Sequence, residues 1–302
     1  MYKKIEDYLT QLKRELSGSD PALIQDALSD AEEHLRNALE ESVENKPGIS
    51  ENEALQPLIE RYGTPSEVAS AYKKTESLTP PTLATTEKHV TRSYGEKFFG
   101  AVAEARTWGA FLYILLSGLT AIIFGMWTLF GGAFSFFSLI FIIGIPVTGL
   151  YLLSLRGIAL VEGRIIEALL GIRMPRKPIF LSRGLNWRKK YKALITESYT
   201  WKVFAYMILH LPLGFIYFVV VVGMLATSIK GTIYPLWYWG LGRPLITFSQ
   251  PIYPPAWSYP LVSVAGILML FLTLHLARFI GKTHGRFAKF MLVRKQQEVD
   301  HA

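Results

Sequence analysis

Apolar positions follow two different rules along this chain. Up to residue 78 they recur at helical spacing with polar residues between them. The first set is Ile5, Tyr8, Leu9, Leu12 and Leu16; the second is Ile24, Leu28, Ala31, Leu35, Ala38 and Leu39; the third is Leu55, Leu58, Ile59 and Tyr62. Such stripes predict amphipathic helices, each burying one face. The punctuation agrees. Gly18 closes the first helix, and Asp20-Pro21 opens the second with a capping carboxylate and a proline whose missing N–H is not needed in the first turn. Lys46-Pro47-Gly48 breaks it. Ser50-Glu51-Asn52-Glu53 and Thr64-Pro65-Ser66-Glu67 read as capping boxes, the second leading into Val68, Ala69 and Tyr72.

Beyond Arg106 the alternation disappears. Residues 107–155 carry no charge, enough for two membrane helices of about 20 residues each. Gly131-Gly132 marks the expected turn, which gives spans near 108–130 and 134–155. A third uncharged run covers 203–229, between Lys202 and Lys230. A fourth lies between Arg243 and Arg278; its prolines at 244, 251, 254, 255 and 260 delay the helix, so the span is expected over about 258–277. The expected organisation is a helical domain over 1–77 and a Pro/Thr-rich flexible linker over 78–94. A transmembrane domain follows over 95–295, then a tail over 296–302. Phe98, Phe99 and Val102 predict a short surface helix before the first span, and Ile158, Val161, Ile165, Ala168, Leu169 and Ile172 predict another over 156–172, with Arg164 and Glu167 on its polar side. The fold class is all-α.

Charge sharpens this division. Residues 1–78 hold 9 basic and 16 acidic residues, a net of −7, and the remainder holds 23 against 8, a net of +15. Basic residues gather in 156–202, with eleven, and in 278–302, with six, whereas 230–259 has only Lys230 and Arg243. The positive-inside rule then puts both termini and 156–202 in the cytoplasm and 230–259 outside. No apolar segment precedes Trp108, so no cleavable signal peptide is expected and the first 78 residues read as cytoplasmic. The cytoplasmic (inner) membrane is the expected location. Anionic lipid is an expected contact of the basic segments. With no cysteine, disulfides, thiolate metal sites and a Cys nucleophile are excluded.

The helical N-terminal part resembles the HAAS signalling domain (the former DUF1700 group). The residues that carry the resemblance are Asp30-Ala31-Glu32-Glu33-His34-Leu35 and Ala54 with Tyr62-Gly63-Thr64-Pro65-Ser66-Glu67-Val68-Ala69. The resemblance implies a cytoplasmic regulatory module in bacterial membrane proteins, often encoded beside a PadR-type transcription regulator.

The membrane part repeats itself. Thr107-Trp108, Phe111 and Tyr113 match Thr200-Trp201, Phe204 and Tyr206 at an offset of 93; Arg156 and Gly163-Arg164 match Arg278 and Gly285-Arg286 at an offset of 122. Both units start inside, so a two-fold parallel repeat is expected rather than an inverted one. With Leu170-Gly171-Ile172-Arg173-Met174-Pro175, a Trp187-containing basic connector and Pro235-Leu236-Trp237-Tyr238-Trp239, this part resembles the "Putative sensor" family of bacterial membrane proteins. That resemblance implies a sensory input domain.

Candidate chemistry is sparse. No Gly-rich phosphate loop, His-Glu-x-x-His or Gly-x-Ser-x-Gly is present, so neither an enzyme nor a cofactor is expected, and no metal site. No helix-turn-helix with a basic recognition helix points to direct nucleic-acid binding. His210 and His275 fall inside the expected spans, at depths that do not suit a shared site; each is read as a neutral ring on a nearby carbonyl. His34 is read as part of a solvated face. The outer segment 230–259 offers stacking faces and a cation at Tyr234, Trp237, Tyr238, Trp239 and Arg243, the candidate ligand-binding residues; an interfacial loop resting on headgroups has the same composition. Arg164, Arg173, Arg176, Lys177, Arg188, Lys189 and Lys190 are candidates for the membrane surface or for docking the acidic module. The expected function is non-enzymatic relay of an envelope or lipid signal to a cytoplasmic regulator. An accessory or permease subunit of an ABC-type transport system is the alternative, and a homo-oligomer is left open.

Overall fold

The computed structural model describes residues 4–45, 50–81, 83, 94–141, 144–177, 187–242, 244–245 and 253–294. Among them there are helices and turns but no strand. The expected tail and nearly all of 82–93 lie outside the described residues. The chain forms two compact units: 1–84 with 127–206 and 287–302, and 85–126 with 207–286.

The first unit begins with four helices, α1 (Ile5–Glu15), α2 (Pro21–Asn45), α3 (Glu51–Tyr62) and α4 (Pro65–Leu78). Their starts are set by the expected caps. The Ser50 and Thr64 hydroxyls accept the backbone N–H of Glu53 and Glu67, whose carboxylates bond back to the capping residues. Asp20 Oδ1 accepts the Ala22 N–H at 2.9 Å. The apolar stripes converge on one core, in which Tyr8, Leu12, Leu16, Ala27, Ala31 and Leu35 are fully buried with Leu55 and Ile59. Tyr8 donates from inside it to the Gly63 carbonyl at 2.9 Å, at the α3–α4 junction. His34 is exposed but lies flat on Tyr62, ring centroids 4.8 Å apart.

Among the described residues four helices are long and apolar enough to cross a membrane: α6 (Ala105–Ser138), α7 (Gly144–Leu170), α9 (Ser198–Thr232) and α11 (Tyr259–Leu292), the last preceded by one 3₁₀ turn. At 1.5 Å per residue α6, α9 and α11 run about 50 Å, well beyond a hydrocarbon core of about 30 Å. Three expectations change accordingly. The α6–α7 break comes after Ser138, not at Gly131-Gly132, which lie inside α6. There the Tyr151 ring packs so close that a Cβ on Gly131 would sit 2.8 Å from it, so these glycines serve helix contact rather than a turn. The amphipathic 156–172 segment is no separate surface helix but the continuation of α7. The same holds at the other end, where α11 carries on past Ala277 to Leu292. Finally, the outer segment is not all loop: α9 extends to Thr232, and α10 (Tyr234–Leu241) follows at once.

Each membrane entry is prefaced by a short helix, α5 (Tyr94–Phe99) with a 3₁₀ turn in one case and α8 (Trp187–Thr196) in the other. Trp108 Nε1 donates to the Val102 carbonyl at 2.8 Å, and Trp201 Nε1 donates to the Ile195 carbonyl at 2.7 Å. Both bonds reach back six residues. Both tryptophans stand edge-on to a phenylalanine three residues ahead, Phe111 or Phe204, at 6.1 Å.

In the second unit Phe98 stacks on His275 at 5.1 Å, and the Phe98 carbonyl lies 3.1 Å from His275 Nε2. The α5 aromatics thus pack on α11. Gly214 lets α9 approach α6, where a Cβ would meet that of Ala121 at 2.6 Å. The His210 ring lies 5.3 Å from that of His284, and its Nε2 is 3.5 Å from Thr120 Oγ1. His284 also meets Tyr113 and Tyr217, both at 5.6 Å. It was not among the expected intramembrane groups because α11 was expected to end sooner.

Candidate functional site

The first unit concentrates its buried charge where α7 ends. Gly171 takes a left-handed φ of +66°, which an L side chain resists, and its N–H caps the Glu167 carbonyl at 3.2 Å. The helix stops, Pro175 keeps it from resuming, and 171–177 runs non-helically along the N-terminal module.

Asp26 of α2 is the receiving group. It is 4% exposed and accepts Arg173 Nη2 at 2.8 Å, the Arg176 N–H at 2.8 Å and the Lys177 N–H at 3.0 Å. Arg173 is 7% exposed and divides its fork, Nε bonding Glu76 of α4 at 2.9 Å and Nη1 the Met174 carbonyl. A planar guanidinium with five fixed donors is suited to bridging carboxylates on two helices at once. One turn along α2, Asp30 binds Lys177 Nζ and accepts the Tyr72 hydroxyl at 2.5 Å. Burial by itself raises the Asp30 pKa, but the hydrogen bonds from Lys177 and Tyr72 outweigh it and hold the carboxyl below its ordinary value. Burial and the Asp30 bond push the Tyr72 phenol up. Arg176 closes the arrangement on the α7 side, with Nη2 2.8 Å from Glu167 Oε1, a contact that raises its pKa against the opposing effect of burial.

A second anchor lies beside the first. Lys289 Nζ meets Asp20 Oδ2 at 2.5 Å, and the Arg294 N–H donates to Gln25 Oε1 at 2.8 Å. The Arg294 guanidinium reaches Glu197 Oε1 at 3.0 Å, while Arg156 Nη2 bonds Glu197 Oε2 at 2.6 Å and Thr200 Oγ1 at 2.7 Å. Arg156 also lies over the Tyr199 ring, 5.6 Å from its centroid.

Of the expected docking residues, Arg173, Arg176 and Lys177 thus meet the module. Arg164 is largely exposed and pairs with Glu167 at 3.0 Å. Glu167 is not on a solvated face as expected, being 6% exposed among three arginines. Arg188 is exposed on α8, and the side chains of Lys189 and Lys190 lie outside the described residues. So do those of Trp237 and Trp239, and Arg243 altogether. Tyr234 is fully buried, 5.5 Å from Tyr259 and 6.2 Å from Tyr238, in a packed tyrosine cluster of the second unit. Asp20, Asp26, Glu76 and Glu197 are not among the residues expected from the sequence. A signal existed for Asp26 and Asp30: two carboxylates at i, i+4 on one helix repel unless cations from elsewhere meet them.

Residues 7–71, the four-helix module, match the model of the HAAS family. YwdD of Bacillus subtilis (strain 168), described as an uncharacterized protein, is 34% identical over 76 residues, 24% of this chain and 33% of that protein. The chain thus spans about a third of the length of the curated relative it matches. No solved structure matches. Residues 113–292, which contain all of α7, α9 and α11 and most of α6, match the model of the family described as "Putative sensor". Long apolar helices with a helical signalling module held at the end of α7 are the architecture of a multi-pass membrane protein with a sensory role, and the chain belongs to the "Putative sensor" family, with a HAAS module ahead of the membrane domain.

Proposed function

We propose that this protein is a non-enzymatic sensor of the bacterial cytoplasmic membrane. In this reading it relays an envelope or lipid signal to a cytoplasmic regulator through its HAAS module. The observation that carries the proposal is the grip of Arg173 on Asp26 and Glu76. This buried cation leaves α7 by a short non-helical segment and ties two helices of the module. A displacement of α7 along or about its axis therefore pulls on α2 and α4 directly. Basic residues concentrated in 156–202 and 278–302 support cytoplasmic termini and a cytoplasmic module. The regulator is proposed to be of PadR type, on the HAAS match. The signal is proposed to enter through the outer segment, whose sequence supplies aromatic residues and a cation at Trp237, Tyr238, Trp239 and Arg243, with Tyr234 packed beneath as support.

The test substitutes Trp237, Tyr238 and Trp239 by alanine in the full chain. Amide exchange over α2 and expression of the regulator's target genes are then followed. Faster exchange in α2 with altered expression is expected. A normally folded variant with unchanged exchange and unchanged expression would remove the outer segment as the input. Stable co-purification of an ATPase subunit would instead favour the transport reading.

A further inference from the structure

A cavity of about 350 Å³ opens in the first unit where α1 and α2 of the module meet the end of α11. That volume is within the range of small-ligand sites. Its walls are mostly apolar, with Ile24, Phe290 and Val293 among them, and three cations stand on its rim: Lys13, Lys289 and Arg294. Lys289 and Arg294 already have carboxylate partners, Asp20 and Glu197, and Glu197 is shared with Arg156. Lys13 has no carboxylate partner among the described residues, although it is half-buried. Three cations of the lining therefore share two carboxylates, and Lys13 is left without one beside an apolar hollow. The imbalance calls for an anion, and the walls call for hydrocarbon attached to it.

We propose that the cavity holds one anionic phospholipid of the bilayer, its phosphate among Lys13, Lys289 and Arg294 and the start of an acyl chain against Ile24, Phe290 and Val293. Continuity with the membrane selects a lipid over a soluble amphiphile. The cavity wall is the last turn of a helix apolar enough to span the bilayer, and Phe290 on that turn is 57% exposed. A helix of about 50 Å also covers the headgroup layers, since a whole bilayer measures about 40–45 Å. The lipid has a physical role there. A module of net charge −7 is repelled by an anionic leaflet, and one lipid captured at the seam converts that surface into part of the module's seat.

The experiment uses the full chain in nanodiscs of phosphatidylcholine, alone or mixed with phosphatidylglycerol, with native mass spectrometry counting the lipid retained after release. One phosphatidylglycerol per chain is expected, in preference to phosphatidylcholine. Retention is expected to weaken about 30-fold in the Lys13→Gln/Arg294→Gln double variant, two surface charges being lost. The Lys13→Arg/Arg294→Lys variant should retain the lipid, which separates loss of charge from loss of fold. Ile24→Phe, which narrows the hollow without removing a charge, should also lower retention. Equal retention by the double variant and the native chain overturns the proposal. So does retention without preference for phosphatidylglycerol, or displacement of the lipid by inorganic phosphate, which would make the site one for free phosphate.

Discussion

The two membrane entries carry the same ion pair under different conditions. Glu104, just before α6, meets Arg278 at 2.8 Å with both side chains about one-third exposed. Glu197, just before α9 and 93 residues later, meets Arg156 at 2.6 Å with side chains 17% and 6% exposed. Arg156 and Arg278 are themselves 122 apart, the offset of the second motif match. So the glutamate before α6 pairs with an arginine of α11, and the glutamate before α9 with an arginine of α7. The pattern extends inward, where Tyr113 packs on His284 and the equivalent Tyr206 reaches Glu162 at 3.4 Å, Glu162 and His284 again being 122 apart. What differs is the load. Glu197 also binds Arg294, whose backbone N–H holds Gln25 of the module. The α9 entry is thereby wired to the signalling module through bonds within the first unit.

The largest effect is expected from Asp26→Ala. It leaves the buried Arg173 guanidinium and two backbone N–H groups without their carboxylate, a loss of about 3–5 kcal/mol by analogy with broken buried pairs. Amide exchange across α2 should rise sharply, while exchange near Trp108 stays unchanged. Next comes Arg156→Ala, which breaks the buried clasp at about 3 kcal/mol; exchange should rise at the start of α9 and, through Arg294, in α2. If α2 is untouched, the coupling of this entry to the module is wrong.

Acid should act on the module side. The Asp30 carboxyl is held below its ordinary value, so its contribution is complete above the unfolded carboxyl pKa of about 3.9 and is lost as pH falls through the lower folded one. A titration should show the contact of Asp30 with Lys177 intact at pH 5 and released only well below about pH 4; release near neutrality would contradict the assignment. The smallest effect is expected from Arg278→Ala. Its partly exposed pair is worth about 0–1 kcal/mol and should weaken further in salt. A loss as large as that of Arg156→Ala would erase the contrast between the entries.

Much of the fold was legible in the residues. The capping boxes at Ser50 and Thr64 name their own helix starts, since each is closed within four residues. The long apolar runs name the membrane helices, since a lipid-facing helix needs no polar stripe. Reading the ends of those helices failed for a physical reason. Loss of hydropathy marks where a helix leaves the hydrocarbon, not where it stops, so α7 and α11 continue as amphipathic rods. Gly131-Gly132 misled in a related way, because a glycine pair that opens a turn in water also opens a packing surface for Tyr151.

The candidate site was half visible. Excess positive charge in 156–202 and negative charge in 1–78 is a property of composition and is legible in the sequence. Which charges meet was not contained in it. Arg173 and Asp26 are 147 residues apart, and their pairing depends on Gly171 turning the chain and on α2 presenting Asp26 and Asp30 along one face. By itself the sequence determined helix identity, the long apolar runs, the 93- and 122-residue offsets between matching motifs and the contrast of charge, because each is encoded locally or summed over a segment. Only the tertiary structure decided that Glu167 is buried among arginines, that His210 lies by His284, and that Glu104 meets Arg278 and Glu197 meets Arg156. Those contacts join distant segments, and no local pattern fixes the geometry in which distant segments meet.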